Sequence, residues 1–148
     1  MRFLILLATS LLFAASASAQ SLKVRETKST VKEAADRLVK AVEEKGLKVA
    51  ARVDHAAGAK AVGLEMPPTE VIMFGNPKLG TPLMLANPQL GVDLPLKIVI
   101  WEAAPGKTMI GYTAPDSLKA RFDIKDKDAL FKTMGDALEG FAAAAAGP

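Results

Sequence analysis

Two periodicities divide this chain. From Val31 onward, Val31, Ala34, Ala35, Leu38 and Val42 recur at helical spacing and share one face. Thr30-x-x-Glu33 opens the segment as a capping box: the hydroxyl takes a free amide of the first turn and the carboxylate reaches back. Gly46 stands where a left-handed residue closes a helix. Glu33 with Arg37, and Asp36 with Lys40, put opposite charges four apart on the outer side. A second stripe, Leu130, Met134, Leu138 and Phe141, predicts a last helix from about Asp126. The alanine run at 142–146 favours helix but has little to bury, so it is expected to fray.

Alternation marks the strands. In 22–27, Leu22 and Val24 face one way and Lys23 and Arg25 the other. In 47–54, Leu47, Val49, Ala51 and Val53 are expected to face the core. Residues 70–74 are apolar after Glu70, as in a strand covered on both sides. Residues 96–102 and 107–113 flank the turn Pro105-Gly106 and predict a hairpin. The alanine-rich stretch 55–63 reads as a short helix, and 115–122 as one or two helical turns. The predicted core is Val24, Val31, Leu38, Val42, Val49, Val53, Ile72, Ile98, Ile100, Ile110, Leu130, Met134 and Leu138.

Residues 74–95 break both patterns with proline and glycine. Asn76-Pro77 and Thr81-Pro82 each set an N-cap residue before a proline suited to a first helical position. A short apolar helix is expected at 82–86, stopped by Asn87-Pro88. Asn76-Pro77-Lys78-Leu79-Gly80 and Asn87-Pro88-Gln89-Leu90-Gly91 are similar enough to predict two like turns around that helix. The order strand, helix, strand, short helix, strand, insert, hairpin, helix is that of an α+β domain. Its sheet is largely antiparallel, of about five strands, with the two long helices packed on one face.

The 148 residues suit one domain. Residues 1–19 carry a basic start, an apolar run and Ala17-Ser18-Ala19, the three parts of a secretory signal. The apolar run is too short for the roughly 20 residues that span a bilayer. Cleavage is expected between Ala19 and Gln20, leaving a periplasmic or secreted domain at 20–148 with no stable membrane anchor. The formal charge of +3 is mild, and mixed signs without a basic block argue against nucleic acid as a partner. The absence of cysteine removes disulfides, thiol nucleophiles and Cys-based metal sites. A core must then hold the fold, which roughly 130 residues can do.

Several motifs resemble one family. They are His55-Ala56-Ala57-Gly58-Ala59, Pro67-Pro68-Thr69-Glu70-Val71, Phe74-Gly75-Asn76-Pro77-Lys78, Gly80-Thr81-Pro82-Leu83-Met84 and Leu94-Pro95-Leu96-Lys97. The Gly106-Lys107 turn and Tyr112-x-x-Pro115 join them. Together they are similar to the domain of unknown function 302 (DUF302) family, over nearly all of the mature chain. The resemblance implies a curved, TATA-box-binding-protein-like sheet with helices packed on it. It implies no activity, and a shared architecture does not imply DNA binding.

Candidate chemistry is sparse. His55, the sole histidine, follows a predicted strand at a loop, where sites often lie. As a metal ligand it would need carboxylates such as Asp54, Glu65, Asp93 or Glu102, which lack a ligand spacing. Otherwise it caps a turn. Asn76, Lys78, Gly80 and Thr81 form the second candidate: free amides at a helix start, beside a lysine, suit a small anion. Otherwise these residues satisfy their own turns. Trp101, Tyr112, Met73, Met84 and Met109 line either an apolar pocket or the core. No nucleophile motif, phosphate loop or dinucleotide fingerprint occurs. The first expectation is therefore a non-enzymatic binding domain, without a cofactor, taking a small molecule or anion between His55 and residues 74–95. The second is a His55-centred metal protein or enzyme. The third is a homodimer joined through sheet edges and Leu83, Leu85 and Leu90.

Overall fold

A computed structural model describes residues 22–148. The expected signal peptide and its cleavage point lie outside the described residues. The elements run β1 (Leu22–Thr27), α1 (Val31–Glu44), β2 (Lys48–Asp54), α2 (His55–Ala61), β3 (Thr69–Gly75) and α3 (Pro77–Ala86). A 3-10 helix (Pro88–Val92), β4 (Leu96–Ala104), β5 (Lys107–Thr113), α4 (Pro115–Arg121) and α5 (Asp128–Ala146) complete the chain.

The five strands form one sheet in the order β1-β5-β4-β3-β2, antiparallel at every pairing. The α+β class and the antiparallel sheet match the sequence reading. The expectation of a curved, TATA-box-binding-protein-like sheet with two long helices on one face does not. The sheet is open, with β1 and β2 as separate edges. Five α-helices and a 3-10 turn accompany it among the described residues. The short helices expected at 55–63 and 115–122 are present as α2 and α4. The difference lies in the insert, where Asn76 starts the ten-residue α3 and Asn87 a 3-10 helix.

The core lies between α1, α5 and one face of the sheet. In β3, Ile72 and Phe74 are buried; in β4, Leu96, Ile98 and Ile100; in β5, Ile110 and Tyr112. Val31, Ala34, Ala35, Leu38 and Val42 supply the buried stripe of α1, as the spacing predicts. Phe74 meets Phe141 of α5 edge to face, with centroids 5.1 Å apart. Each such fully buried side chain contributes roughly 1.5–3 kcal/mol.

The capping box is present: Glu33 N donates to Thr30 Oγ1 at 3.2 Å, and Thr30 N to Glu33 Oε2 at 2.9 Å. Gly46 adopts φ +69° just past α1. The outer charges pair differently from the expected i,i+4 set. Asp36 binds Lys32 and Arg52, and Lys40 lies near Glu44. Arg37 turns instead to the far end of α5, donating to the carbonyl of Ala145 at 2.7 and 3.0 Å. Thr27 Oγ1 donates to the carbonyl of Ala146 at 2.8 Å. Those contacts explain why the alanine run does not fray: it is helical to Ala146, with Ala142 and Ala145 buried.

Two predicted core residues fall on the other side of the sheet. Val24 is 44% and Val53 38% exposed. In β2 the register shifts between Val49 and Ala51. This bulge at Ala50 reverses the alternation, so Val49 faces the helices while Ala51 and Val53 face away. In β1 the helix-facing positions are Lys23, Arg25 and Thr27, paired with Tyr112, Ile110 and Thr108. Arg25 earns its place there by pairing with Glu139 of α5.

Candidate functional site

The end of the sheet where β2 and β4 begin and β3 stops is hollow. A cavity of about 580 Å³ opens there. Its walls come from the β2 bulge at Ala50, the segment Gly75-Asn76-Pro77, the inner side of α3, and Leu94-Pro95-Leu96, with Met134 of α5 among them. Local chemistry explains how these pieces meet. Asn76 ends β3 and caps α3: its Oδ1 accepts from Lys78 N at 3.0 Å. Pro77 takes the first helical position, where no N–H is needed. Asn87 caps the 3-10 helix likewise, accepting from Gln89 N at 3.0 Å, and anchors it by donating to the carbonyl of Phe122 at 2.9 Å. The near-repeat thus makes two similar caps. Between them Thr81-Pro82 does not start a second helix, because α3 runs from Pro77 through Pro82 to Ala86.

The lining is largely apolar. Leu79, Met84, Leu94, Leu96 and Met134 dominate it, and Lys48 is its one charged residue. Gly80 contributes space: a Cβ there would stand 3.4 Å from Cδ1 of Leu94. A cavity of this size and character suits a small molecule with an apolar body and few polar groups.

The structure separates the sequence-predicted site residues. Asn76 and Gly80 line the cavity. Lys78 and Thr81 share α3 with them but are exposed and outside the lining. His55 is exposed and opens α2 at the opposite end of β2. Six strand residues, about 20 Å, separate it from the cavity. No single site therefore spans His55 and residues 74–95. The amides at the start of α3 are also engaged. Lys78 N donates to the Asn76 side chain, and Leu79 N and Gly80 N to the Asn76 carbonyl, each near 3 Å.

Of the carboxylates considered beside His55, Asp54 accepts from Ala57 N at 2.8 Å and Asp93 pairs with Arg121 at 3.0 Å. Among the described residues no group of three or more histidine or acidic side chains is placed to hold a metal ion. Near the His55 end lies a second hollow of about 550 Å³, more polar, bordered by Arg52, Asp54, Met66 and Glu70. Arg52 bridges Glu70 and Asp36 there, and these bonds, Glu70 first, hold its guanidinium firmly charged.

Sequence reasoning missed Lys48, Ala50, Leu79, Leu94, Leu96 and Met134 as lining. Asn76, Gly80 and Met84 carried a signal, all three within the Pro/Gly stretch. Of the companions of Met84, Tyr112 is buried towards α5, while Met73, Trp101 and Met109 lie on the sheet face away from the helices.

Family comparison agrees with this architecture. A model of the family described as "Domain of unknown function DUF302" matches residues 23–141, and the chain belongs to that family. A crystal structure of an uncharacterized conserved DUF302 protein from Bacillus stearothermophilus superposes with a TM-score of 0.69 at 22% identity. It covers 85% of this chain and 96% of that one, a likeness of fold. Curated relatives include "Fluoride-specific ion channel FluC 1" of Brucella suis biovar 1 (strain 1330), 39% identical over 110 residues. "Fluoride-specific ion channel FluC 2" of Brucella melitensis biotype 1 is likewise 39% identical. The match takes in 74% of this chain but 43% and 41% of those proteins, so the chain spans about two fifths of their length. No helix among the described residues is long and apolar enough to cross a membrane.

Proposed function

We propose that this DUF302 domain is a non-enzymatic binding protein, exported after cleavage between Ala19 and Gln20. Its ligand is a small, mainly apolar molecule with one acidic end. The apolar cavity beside α3 supports this reading most strongly, because five large apolar side chains converge on it and Lys48 alone brings charge. The apolar body would fill the space between Leu94, Met84 and Met134. Its acidic end would meet Lys48. A bare anion fits less well, since the amides of α3 already have partners.

Titration with a dansyl-labelled fatty acid tests the reading. Saturable binding at one site per chain is expected. Gly80→Leu would fill the cavity against Leu94 and weaken binding at least tenfold. Its melting temperature should not fall, since leucine is the better helix former by up to about 1 kcal/mol. Absence of saturable binding, or equal binding by Gly80→Leu, would contradict the proposal.

A second reading draws on the Brucella relatives, whose printed names are those of fluoride channels and whose matched segment is less than half their length. In that reading the domain works beside an ion channel. Deleting the chain from its host should then change growth in fluoride; unchanged growth would reject it.

A further inference from the structure

The face of the sheet turned away from α1 and α5 is apolar where a solvated antiparallel sheet would be polar. One row crosses all five strands: Val24, Gly111, Val99, Val71 and Val53 stand side by side in register. Val24 and Val53, at its two ends, are 44% and 38% exposed. The indole of Trp101 lies over Gly111, where a Cβ would come within 3.0 Å of Cζ3, and so fills the one gap in the row. Met109 and Met73 continue the apolar surface on either side of it.

Three of the charges that share this face are engaged, while Lys48, in register with Gly75 at the β2 edge, has no ion-pair partner among the described residues. Glu26 and Lys107 pair at one corner at 3.2 Å. Lys97 Nζ donates to the carbonyls of Asp93 and Pro95, both at 3.1 Å, and so turns off the face.

We propose that this face docks against the same face of a second copy of the chain, about a two-fold axis near Val99. Three observations select that occupant. Size is the first. Five strands at roughly 4.8 Å spacing and about seven residues at roughly 3.4 Å make a face about 24 Å on each side. Two such faces in contact remove on the order of 1,000 Å² from water, the lower limit for a specific interface and the range of a concentration-dependent one. Symmetry is the second: the row ends in a valine on both edge strands, so it is complementary to itself, as a two-fold contact requires. Charge is the third. A lipid-docking face carries a cluster of unpaired basic residues at its rim, whereas here Lys107 pairs with Glu26, Lys97 turns off the face, and Lys48 stands alone at the β2 edge. Edge-to-edge joining is disfavoured at β1 by Lys23, Arg25 and Glu26. Sheets packed this way keep their strands within about 30° of each other.

The chain has a single tryptophan, and it lies in this face. Sedimentation across a dilution series, read together with Trp101 emission, tests the proposal on the purified chain. The expected result is twice the chain mass at high concentration. On dilution the mass should halve, with a red shift of Trp101 emission at the same midpoint. Val24→Lys, an exposed edge substitution with little cost to the fold, should raise that midpoint at least tenfold. Leu85→Lys, at a position 82% exposed on α3, should leave it in place. A monomer at every concentration would overturn the proposal. So would a dimer that Val24→Lys does not weaken, or whose dissociation leaves Trp101 emission unchanged.

Discussion

The hydroxyl of Tyr112 donates a 2.6 Å hydrogen bond to Oε2 of Glu139, joining β5 to α5. Arg25 of β1 holds the other carboxylate oxygen. Burial, and then the adjacent carboxylate, push the Tyr112 phenol up to about 12. The Tyr112 hydroxyl, and then Arg25, hold Glu139 below the usual carboxylate range. Each shift has a sign for stability. Glu139 contributes above its ordinary value of 4.5, and that contribution is lost as the pH falls through its lowered value. Tyr112 contributes below its ordinary 10.0, and that is lost as the pH rises towards 12. Urea midpoints measured against pH should therefore fall at both extremes. Tyr112→Phe should flatten the alkaline limb, make the acid limb shallower, and cost about 1 kcal/mol near neutrality.

Arg52 ties three elements together. Its Nε donates to Glu70 Oε2 at 2.5 Å and its guanidinium also reaches Asp36 Oδ1 at 2.6 Å. Glu70 is 7% exposed and faces the helices, so Arg52→Met strands a carboxylate there. Chemical denaturation should show a loss of about 2–3 kcal/mol. Adding Glu70→Leu should restore most of it. A double variant no more stable than the single one would show that the pair acts otherwise.

Arg37 determines how α5 ends. The last carbonyls of a helix have no partner within it, and Arg37 supplies one to Ala145 and Ala146. Arg37→Met should cost about 1–2 kcal/mol. Amide exchange should rise in the last turn of α5 and stay unchanged at Leu138.

Local signals carried most of the fold. Thr30 and Glu33 are three residues apart, and their box closes with no help from elsewhere. The stripe from Val31 to Val42 and the hairpin at Pro105-Gly106 are equally local. The errors arose where a distant or irregular feature decided. One extra residue in β2, Ala50, turned Val53 outward although the alternation around it looked regular. Arg37 secured a tail more than a hundred positions away. The cavity was illegible for the same reason. Lys48, Leu94 and Met134 are ordinary residues in their own segments, and only packing brings them to one space. His55 and Asn76 drew attention by their chemistry, yet the length of β2 and β3 keeps them apart.

Methionine-methyl NMR tests the binding account most directly. Of the six methionines, Met84 and Met134 line the cavity, while Met73 and Met109 sit on the far face of the sheet. With decanoate added to the isotope-labelled chain, the methyl signals of Met84 and Met134 should move saturably and those of Met73 and Met109 should stay. Movement of Met73 and Met109 alone, or of no methyl at all, would contradict the assignment of the cavity as the binding site.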